Sequence, residues 1–457
     1  MTPKIYDSII DAIGNSPLIR LNKISRGLNA TILAKVESFN PGGSVKDRVA
    51  LSIIEEAEKS GRLKPGGTIV EATSGNTGAG LALIAAVRGY KTIFTMPDKM
   101  SSEKIRFLKA FGSEVVVCPT AVPPESPESY YEVAKKLARE TPNAILANQY
   151  ENPANPEAHV QTTGPEIWEQ TDGKIDYFVA GIGTGGTISG TAKYLKSKNP
   201  DIKVIGADPI GSILKTYFYE NRMIEALPYK VEGVGEDIIP GTLDFSYIDE
   251  VISANDKQCF HMARRMAREE GVFTGGSCGL AMHVALEAAK DLPADKTVVV
   301  LLPDTGTRYL STFYNEEWMR ENRFLEIDQT TIHDVLAAKS GDLPALVSVE
   351  AETSVRDAFA LMEKNNISQT PVTANGEIVG SVEEGTLTGQ ILENQEVLNG
   401  SVLKIMDDKF PVLDENETVD HAKALFGKRA PAILVRNAQN EISGILTKSD
   451  LISYLTM

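Results

Sequence analysis

Short runs of β-branched and aliphatic residues recur along this chain, and several lead straight into a glycine-rich turn that opens a helical stretch. Thr68–Glu71, Thr92–Met96, Glu114–Cys118, Tyr177–Gly181, Val204–Asp208 and Thr297–Leu302 read as strands. Their apolar residues are near-continuous rather than alternating, which suits strands covered on both faces. Helix patterns fill the gaps: Val49, Ile53, Ile54 and Ala57, for example, share one face. Strand–helix alternation from Thr68 to Pro303 implies an α/β fold with a doubly wound parallel sheet. Ligands of such a sheet gather at the carboxyl ends of its strands. The turns at those ends are therefore where chemistry is expected.

Size and charge narrow the classes. The 457 residues make room for about three domains, at about 150 residues each. Acidic side chains number 62 against 46 basic ones, a net charge of −16. Such a surface repels phosphate backbones and anionic lipid, so neither nucleic acid nor membrane is an expected partner. No apolar run approaches the ~20 residues that span a bilayer, and the amino terminus shows no apolar signal core. Cys118, Cys259 and Cys278 lack CxxC spacing, and the five histidines lack ligand spacing, so no disulfide framework and no metal site are expected. A reducing, cytoplasmic compartment is the expectation.

Four turns carry candidate chemistry. In Pro41-Gly42-Gly43-Ser44-Val45-Lys46 the chain breaks and a helix starts with Lys46 in its first turn. A cation there opposes the helix dipole, which favours the neutral amine that can bond a carbonyl carbon. The plainer reading is an exposed helix-starting lysine. Thr73-Ser74-Gly75-Asn76-Thr77 follows a strand with small hydroxyl and amide residues. Such a turn can cradle a carboxylate or phosphate, or simply cap a helix. Gly181-Ile182-Gly183-Thr184-Gly185-Gly186-Thr187 fits G-x-G-x-x-G, with Asp208 ending the next strand. Two readings stand for it: a dinucleotide fingerprint, or a nest of amides around one phosphate monoester. Gly275-Gly276-Ser277-Cys278-Gly279 opens an Ala-rich helix, and its Cys278 is read as a packing residue rather than a nucleophile.

Past about Glu326 the rhythm changes. Val355, Ala358, Leu361 and Met362 are echoed by Val419, Ala422, Leu425 and Phe426, and Gly380 by Gly444. Two copies are too few for a solenoid and suit a pair that packs together. From Thr331 onward there are 19 acidic and 10 basic residues, a net charge of −9.

In this order, Gly14–Leu18, Pro41–Arg48, Thr73–Gly78, Gly183–Thr187 and Gly275–Gly279 resemble the β-family of pyridoxal-phosphate enzymes, of fold type II. The likeness runs from about Ile13 to Phe324 and decides the glycine turn against NAD. It implies a doubly wound catalytic core over residues 1–325 with pyridoxal 5'-phosphate as cofactor. It implies that Lys46 binds the cofactor covalently and acts as the catalytic base. Gly183, Thr184, Gly185, Gly186 and Thr187 would hold the phosphate, and Ser277 would face the pyridine nitrogen. Thr73, Ser74, Gly75, Asn76, Thr77 and Gln149 would bind the substrate carboxylate, with Asn76 also at the cofactor's ring hydroxyl. The implied reaction is β-replacement, a carbon–oxygen lyase chemistry with sulfide-producing side reactions. Asn152–Glu157 and Thr162–Trp168 look like the branch that uses O-acetylserine and sulfide. Glu232–Asp237 and Pro303–Leu310 look like the branch that joins serine to homocysteine, which is the expected pair here. Where that branch usually shows an aromatic residue, this chain has Glu236. No haem is expected, because the motifs begin almost at the amino terminus.

The tail resembles paired regulatory CBS domains: a linker over 326–340, a first repeat over 341–398 and a second over 399–457. Thr447 and Asp450 match the ribose-binding end of such a domain, whereas the first copy has Glu383 and Thr386 there. One adenosine-ligand site is expected, with S-adenosylmethionine favoured over an adenine nucleotide by the tail's negative charge. A purely structural or dimerising tail and a nucleoside sensor built on an inactive enzyme are the remaining alternatives, and against the second Lys46, Asn76 and Ser277 all stand intact. A homodimer or higher homo-oligomer is expected.

Overall fold

The computed structural model describes residues 5–73, 75–98, 102–119, 122–123, 126–325, 330–339, 346–427 and 430–455. Ser74 and, of the stretch read as linker, residues 326–329 and 340 lie outside them. The chain divides into two compact units, Met1–Phe324 and Leu325–Met457.

In chain order the first unit's strands are β1 (Leu18–Arg20), β2 (Thr31–Val36), β3 (Thr68–Ala72), β4 (Lys91–Pro97), β5 (Glu114–Cys118), β6 (Ala144–Leu146), β7 (Tyr177–Gly181), β8 (Lys203–Pro209), β9 (Glu250–Ala254) and β10 (Thr297–Leu302). All six apolar runs named from the sequence are strands at those places. These strands form two sheets, a larger one ordered β1-β2-β10-β7-β8-β9 and a smaller one ordered β5-β4-β3-β6. Every pairing in both is parallel except that of the edge strand β1 with β2. In the larger sheet Leu302 aligns with Val36, Val300 with Val179, and Gly181 with Ala207. The carboxyl ends of β2, β10, β7 and β8 therefore share one edge. Because β8 leaves β7 on one side and β10 flanks it on the other, the chain's winding reverses there, where a crevice opens in such sheets.

Each sheet has its own core. Val45 packs with Phe178, Ile182, Ile188 and Val299 beside the larger sheet. Val49, Ala50, Ile53, Ile54 and Ala57, on the helix Lys46–Lys59, pack with Ile69, Leu81 and Phe94 beside the smaller one. Lys46 is thus the point where the chain passes from one core to the other. The helix Asn76–Arg88 lies close against it: a Cβ at Gly80 would stand 3.0 Å from the Lys46 carbonyl oxygen.

The second unit repeats one motif. β11 (Val349–Glu350) runs parallel to β12 (Gln369–Ala374), which pairs antiparallel with β13 (Glu377–Glu383). β14 (Val412–Asp414), β15 (Ala432–Arg436) and β16 (Ile442–Thr447) do the same. Both hairpins shift register at the equivalent place, after Val372 and after Val435. The sequence echo thus marks two folded copies, with Val355, Ala358 and Met362 in one core and Val419, Ala422 and Phe426 in the other. The helix Ile332–Ala337, inside the stretch read as linker, buries Ile332 and Val335 in the second copy's core.

Candidate active site

Loops at the carboxyl ends of the strands meet around Asp304. This carboxylate follows β10 and is buried. Its backbone bridges to Ser44 of the lysine loop, and Val45 N–H donates to the Pro303 carbonyl at 2.8 Å. Asn76 Nδ2 donates to Asp304 Oδ2 at 2.9 Å and the Tyr309 hydroxyl donates to the same oxygen at 2.7 Å. Gly275 N–H donates to the Asp304 carbonyl at 3.4 Å, and a Cβ on Gly275 would lie 2.1 Å from Oδ1. One residue so joins the turns of Lys46, Asn76 and Ser277. Burial raises its carboxyl above the usual range, while the Asn76 and Tyr309 donors oppose that.

Lys46 Nζ makes no hydrogen bond among the described residues, while its backbone N–H donates to Ser44 Oγ at 3.3 Å. Burial lowers the ammonium to about 8, against the pull of Asp304 and Glu236. Above that pH the neutral amine predominates. The turn before it is tightly specified. Gly42 N–H donates to Asp47 Oδ2 at 2.5 Å, Arg308 Nη2 donates to the Gly42 carbonyl at 2.5 Å, and a Cβ on Gly42 would stand 2.3 Å from Asp47 Oδ1. Arg308 Nη1 also donates to Asn76 Oδ1. The Asn76 amide, expected at a cofactor hydroxyl, is thus held between Asp304 and Arg308.

Thr77 Oγ1 donates to Gln149 Oε1 at 2.5 Å, which brings the two candidate carboxylate-binding segments together. Behind them, buried Glu71 accepts from Asn148 N–H at 2.6 Å and Gln149 N–H at 3.2 Å. Burial pushes its carboxyl up to about 7. Asn155 Nδ2 donates to the Gln149 carbonyl at 2.7 Å and to Thr184 Oγ1 at 3.1 Å, tying this side to the glycine turn.

The glycine turn suits a phosphate on geometry alone. Gly185 has φ +83°, and Gly186 starts a helix that runs to Lys198. The first amides of that helix have no carbonyl behind them to accept their protons. No side chain fits at three of its positions. A Cβ would stand 2.1 Å from Asn155 Oδ1 at Gly186, 2.7 Å from the Gly233 carbonyl oxygen at Gly183 and 2.4 Å from Leu243 Cβ at Gly185. Asn155 Oδ1 is itself buried without a partner among the described residues. Thr187 Oγ1 lies 3.1 Å from His159 Nε2, whose ring burial holds neutral. Ser277 is 3 % exposed in the first turn of the helix Gly276–Ala288, and its hydroxyl has no partner among the described residues. Cys278 next to it is held as a thiol by burial and by Asp304, which fits packing rather than nucleophilic attack.

An unpaired amine, an unpaired hydroxyl and a nest of open amides on loops tied together by Asp304 and Asn155 fit pyridoxal phosphate. Asp304, Arg308, Asn155 and Glu71 were not singled out from the sequence. Their signals were Pro303–Leu310 for the first two, Asn152–Glu157 for Asn155 and the end of the run Thr68–Glu71 for Glu71, none of which fixed a role. Among the described residues no cluster of His, Cys, Asp and Glu could hold a metal, and no helix is long and apolar enough to cross a membrane.

Thr447 and Asp450 also lie together. Thr447 N–H and Oγ1 donate to Asp450 Oδ2 at 2.8 and 2.7 Å, and Asp450 N–H donates back to Thr447 Oγ1 at 3.2 Å. This reciprocal pair opens the helix Lys448–Leu455 as a capping box. Lys339 Nζ donates to the same carboxylate at 3.0 Å.

The comparisons with known proteins agree with this geometry. The family model "Pyridoxal-phosphate dependent enzyme" matches residues 9–304, and the CBS domain matches residues 341–393 and 402–456. A cystathionine beta-synthase of Dictyostelium discoideum is 41 % identical over 464 residues, covering 99 % of this chain and 92 % of its own. A cysteine synthase of Staphylococcus aureus is 45 % identical over 313 residues, covering 98 % of itself but 68 % of this chain. Among solved structures, a hydrogen sulfide-producing enzyme from Fusobacterium nucleatum superimposes with TM-score 0.63 at 38 % identity, over 67 % of this chain and 99 % of that one. The chain therefore belongs to the pyridoxal-phosphate dependent enzymes and carries two CBS domains beyond its catalytic region.

Proposed function

We propose that this enzyme replaces the β-hydroxyl of L-serine, or the β-substituent of an activated serine, with the thiol of L-homocysteine to give cystathionine. The observation that carries this reading is Lys46: an amine with no hydrogen-bond partner, lowered to about 8, among loops built for a phosphate and a carboxylate. Support for the choice of acceptor comes from relatives of that name that match both units, whereas the cysteine synthase matches the catalytic one alone.

Bound pyridoxal phosphate supplies an electron sink for the bond broken at the substrate's Cα. The open amides of Gly183–Thr187 would hold its phosphate, and the Ser277 hydroxyl would meet its ring nitrogen. A hydroxyl does not keep a proton on that nitrogen as a carboxylate would, which favours loss of a β-substituent over transamination. The Thr73–Thr77 turn and Gln149 grip the substrate carboxylate. Lys46 Nζ would take the proton from Cα and return it there once sulfur has bonded to Cβ, while the hydroxide lost from Cβ and the proton lost from the thiol leave together as water. The protein works in the cytoplasm as a homodimer or larger homo-oligomer.

Steady-state rates test this directly. Serine and O-acetylserine are each paired with homocysteine and with sulfide. Serine with homocysteine should give the highest kcat/KM and release cystathionine. Dominance of O-acetylserine with sulfide would make the enzyme a cysteine synthase instead.

For the tail, we propose one adenosine-ligand site in the second repeat, held by Thr447 and Asp450. A carboxylate can accept from both ribose hydroxyls, and loss of such a charged hydrogen bond costs about 1.5–3 kcal/mol. Asp450→Ala should therefore weaken binding by about 10–150-fold. Calorimetry with S-adenosylmethionine, AMP and ATP reads this, with circular dichroism to show that loss of the cap leaves the fold standing. Equal affinity in both proteins would put the site elsewhere.

A further inference from the structure

Glu236 is an acidic group at the reaction cleft for which the chemistry above has no use. It follows the turn Gly233–Gly235, which lies on the glycine nest: Gly235 N–H donates to the Ile182 carbonyl at 2.6 Å. Its backbone is fixed, with Glu236 N–H donating to Ser212 Oγ at 3.1 Å and Ile213 N–H donating to the Glu236 carbonyl at 3.1 Å. The side chain is partly buried. It accepts from the Tyr150 hydroxyl at 3.3 and 3.4 Å, one residue from Gln149. Tyr131 packs edge-on to Tyr150 with ring centroids 6.5 Å apart, so the wall here is aromatic.

No Lys, Arg or His forms an ion pair with Glu236 among the described residues. The cation whose field reaches it is Lys46, the reacting amine. A carboxylate so placed is costly unless a cation arrives. Burial and the neighbouring Asp237 push it up to about 8, and an adjacent ammonium favours its charged form. The second substrate can bring that cation. In an amino-acid thiol a carbon chain separates the ammonium from the sulfur, so the two can engage different groups of one cleft. Sulfide brings no cation.

We propose that Glu236 binds the α-ammonium group of the second substrate and so selects amino-acid thiols over thiols that lack an amine. The proposal rests on the β-replacement reading above. Its test compares homocysteine with its deaminated analogue, 4-sulfanylbutanoate, using serine as donor in the cofactor-loaded wild type, Glu236→Gln and Glu236→Ala. The wild type should prefer homocysteine by about 10–150-fold, the range for a hydrogen bond to a charged group. Both variants should bring that ratio close to one, mainly through KM for homocysteine, and leave the rate with the analogue within a few fold. The spectral change on adding serine alone should be the same in all three. A preference that survives in Glu236→Gln, or an equal loss for both thiols, would overturn the proposal, the latter by showing that the carboxylate acts on the sulfur. A wild type that joins neither thiol to serine would overturn the β-replacement reading itself, and this assignment with it.

Discussion

Lys46→Ala should lose nearly all turnover while keeping its fold. The side chain makes no hydrogen bond among the described residues, so truncation removes little that holds the protein together. It removes both the amine that bonds the cofactor and the base at Cα. General base catalysis alone is worth about 10²–10⁴-fold, which sets the least loss expected in kcat. Lys46→Arg should be no better, because a guanidinium stays charged at any working pH. Steady-state assays with circular dichroism separate catalysis from folding. Retention of activity within about tenfold of wild type would remove Lys46 from the chemistry.

Arg48→Met should be the most destabilising single change near the site. Arg48 lies two residues beyond Lys46 and forks onto two carboxylates. Nε and Nη2 donate to Glu37 at 2.7 and 2.9 Å, while Nη1 and Nη2 donate to Glu166 at 2.6 and 2.8 Å. Lys35 Nζ completes the cluster on Glu166 at 2.7 Å. The side chains of Arg48 and Glu37 are 1 % and 0 % exposed. Removing one partner of a buried pair leaves a charge without compensation and costs about 3–5 kcal/mol. Arg48→Lys keeps the charge but loses the fork, so it should fall between. Trp168 and Trp318, the chain's two tryptophans, both lie in the catalytic unit, so their fluorescence in urea follows that unit alone. The same cluster dictates an acid limb. Its Arg48 and Lys35 partners hold the Glu166 carboxyl down at about 2 against an ordinary 4.5. Its contribution is then complete above that ordinary value and is lost as pH falls toward 2. An unchanged midpoint in Arg48→Met would show that the cluster contributes no net stability.

The parts of this molecule that were legible in the sequence are those with a local cause. Thr297–Leu302 is a strand because an unbroken run of β-branched and aliphatic residues suits burial on both faces, and all but Thr297 of its side chains are buried. Gly183–Thr187 was legible because close approach and a positive φ select glycine locally. Short strands such as Leu18–Arg20 and Ala144–Leu146 carry too few residues to show a period. Asp304 escaped assignment because its meaning depends on Asn76, 228 residues earlier in the chain. Asn155 and Glu236 lay in recognised segments, but what they do depends on partners remote in the chain, Thr184 for Asn155 and Tyr150 for Glu236. The Thr447–Asp450 spacing was legible, but a ribose-binding carboxylate and a helix cap need the same spacing. The structure shows the cap, and the lysine that shares the carboxylate comes from Lys339, which no local pattern marked.

The central claim is that Lys46 is the residue that holds the cofactor. Borohydride reduction of the cofactor-loaded protein, followed by digestion and mass spectrometry, locates the bond. The account predicts one pyridoxyl group per chain, on the peptide containing Lys46, and none on Lys46→Ala treated the same way. A pyridoxyl group on another lysine of the wild type, or on none, would contradict it.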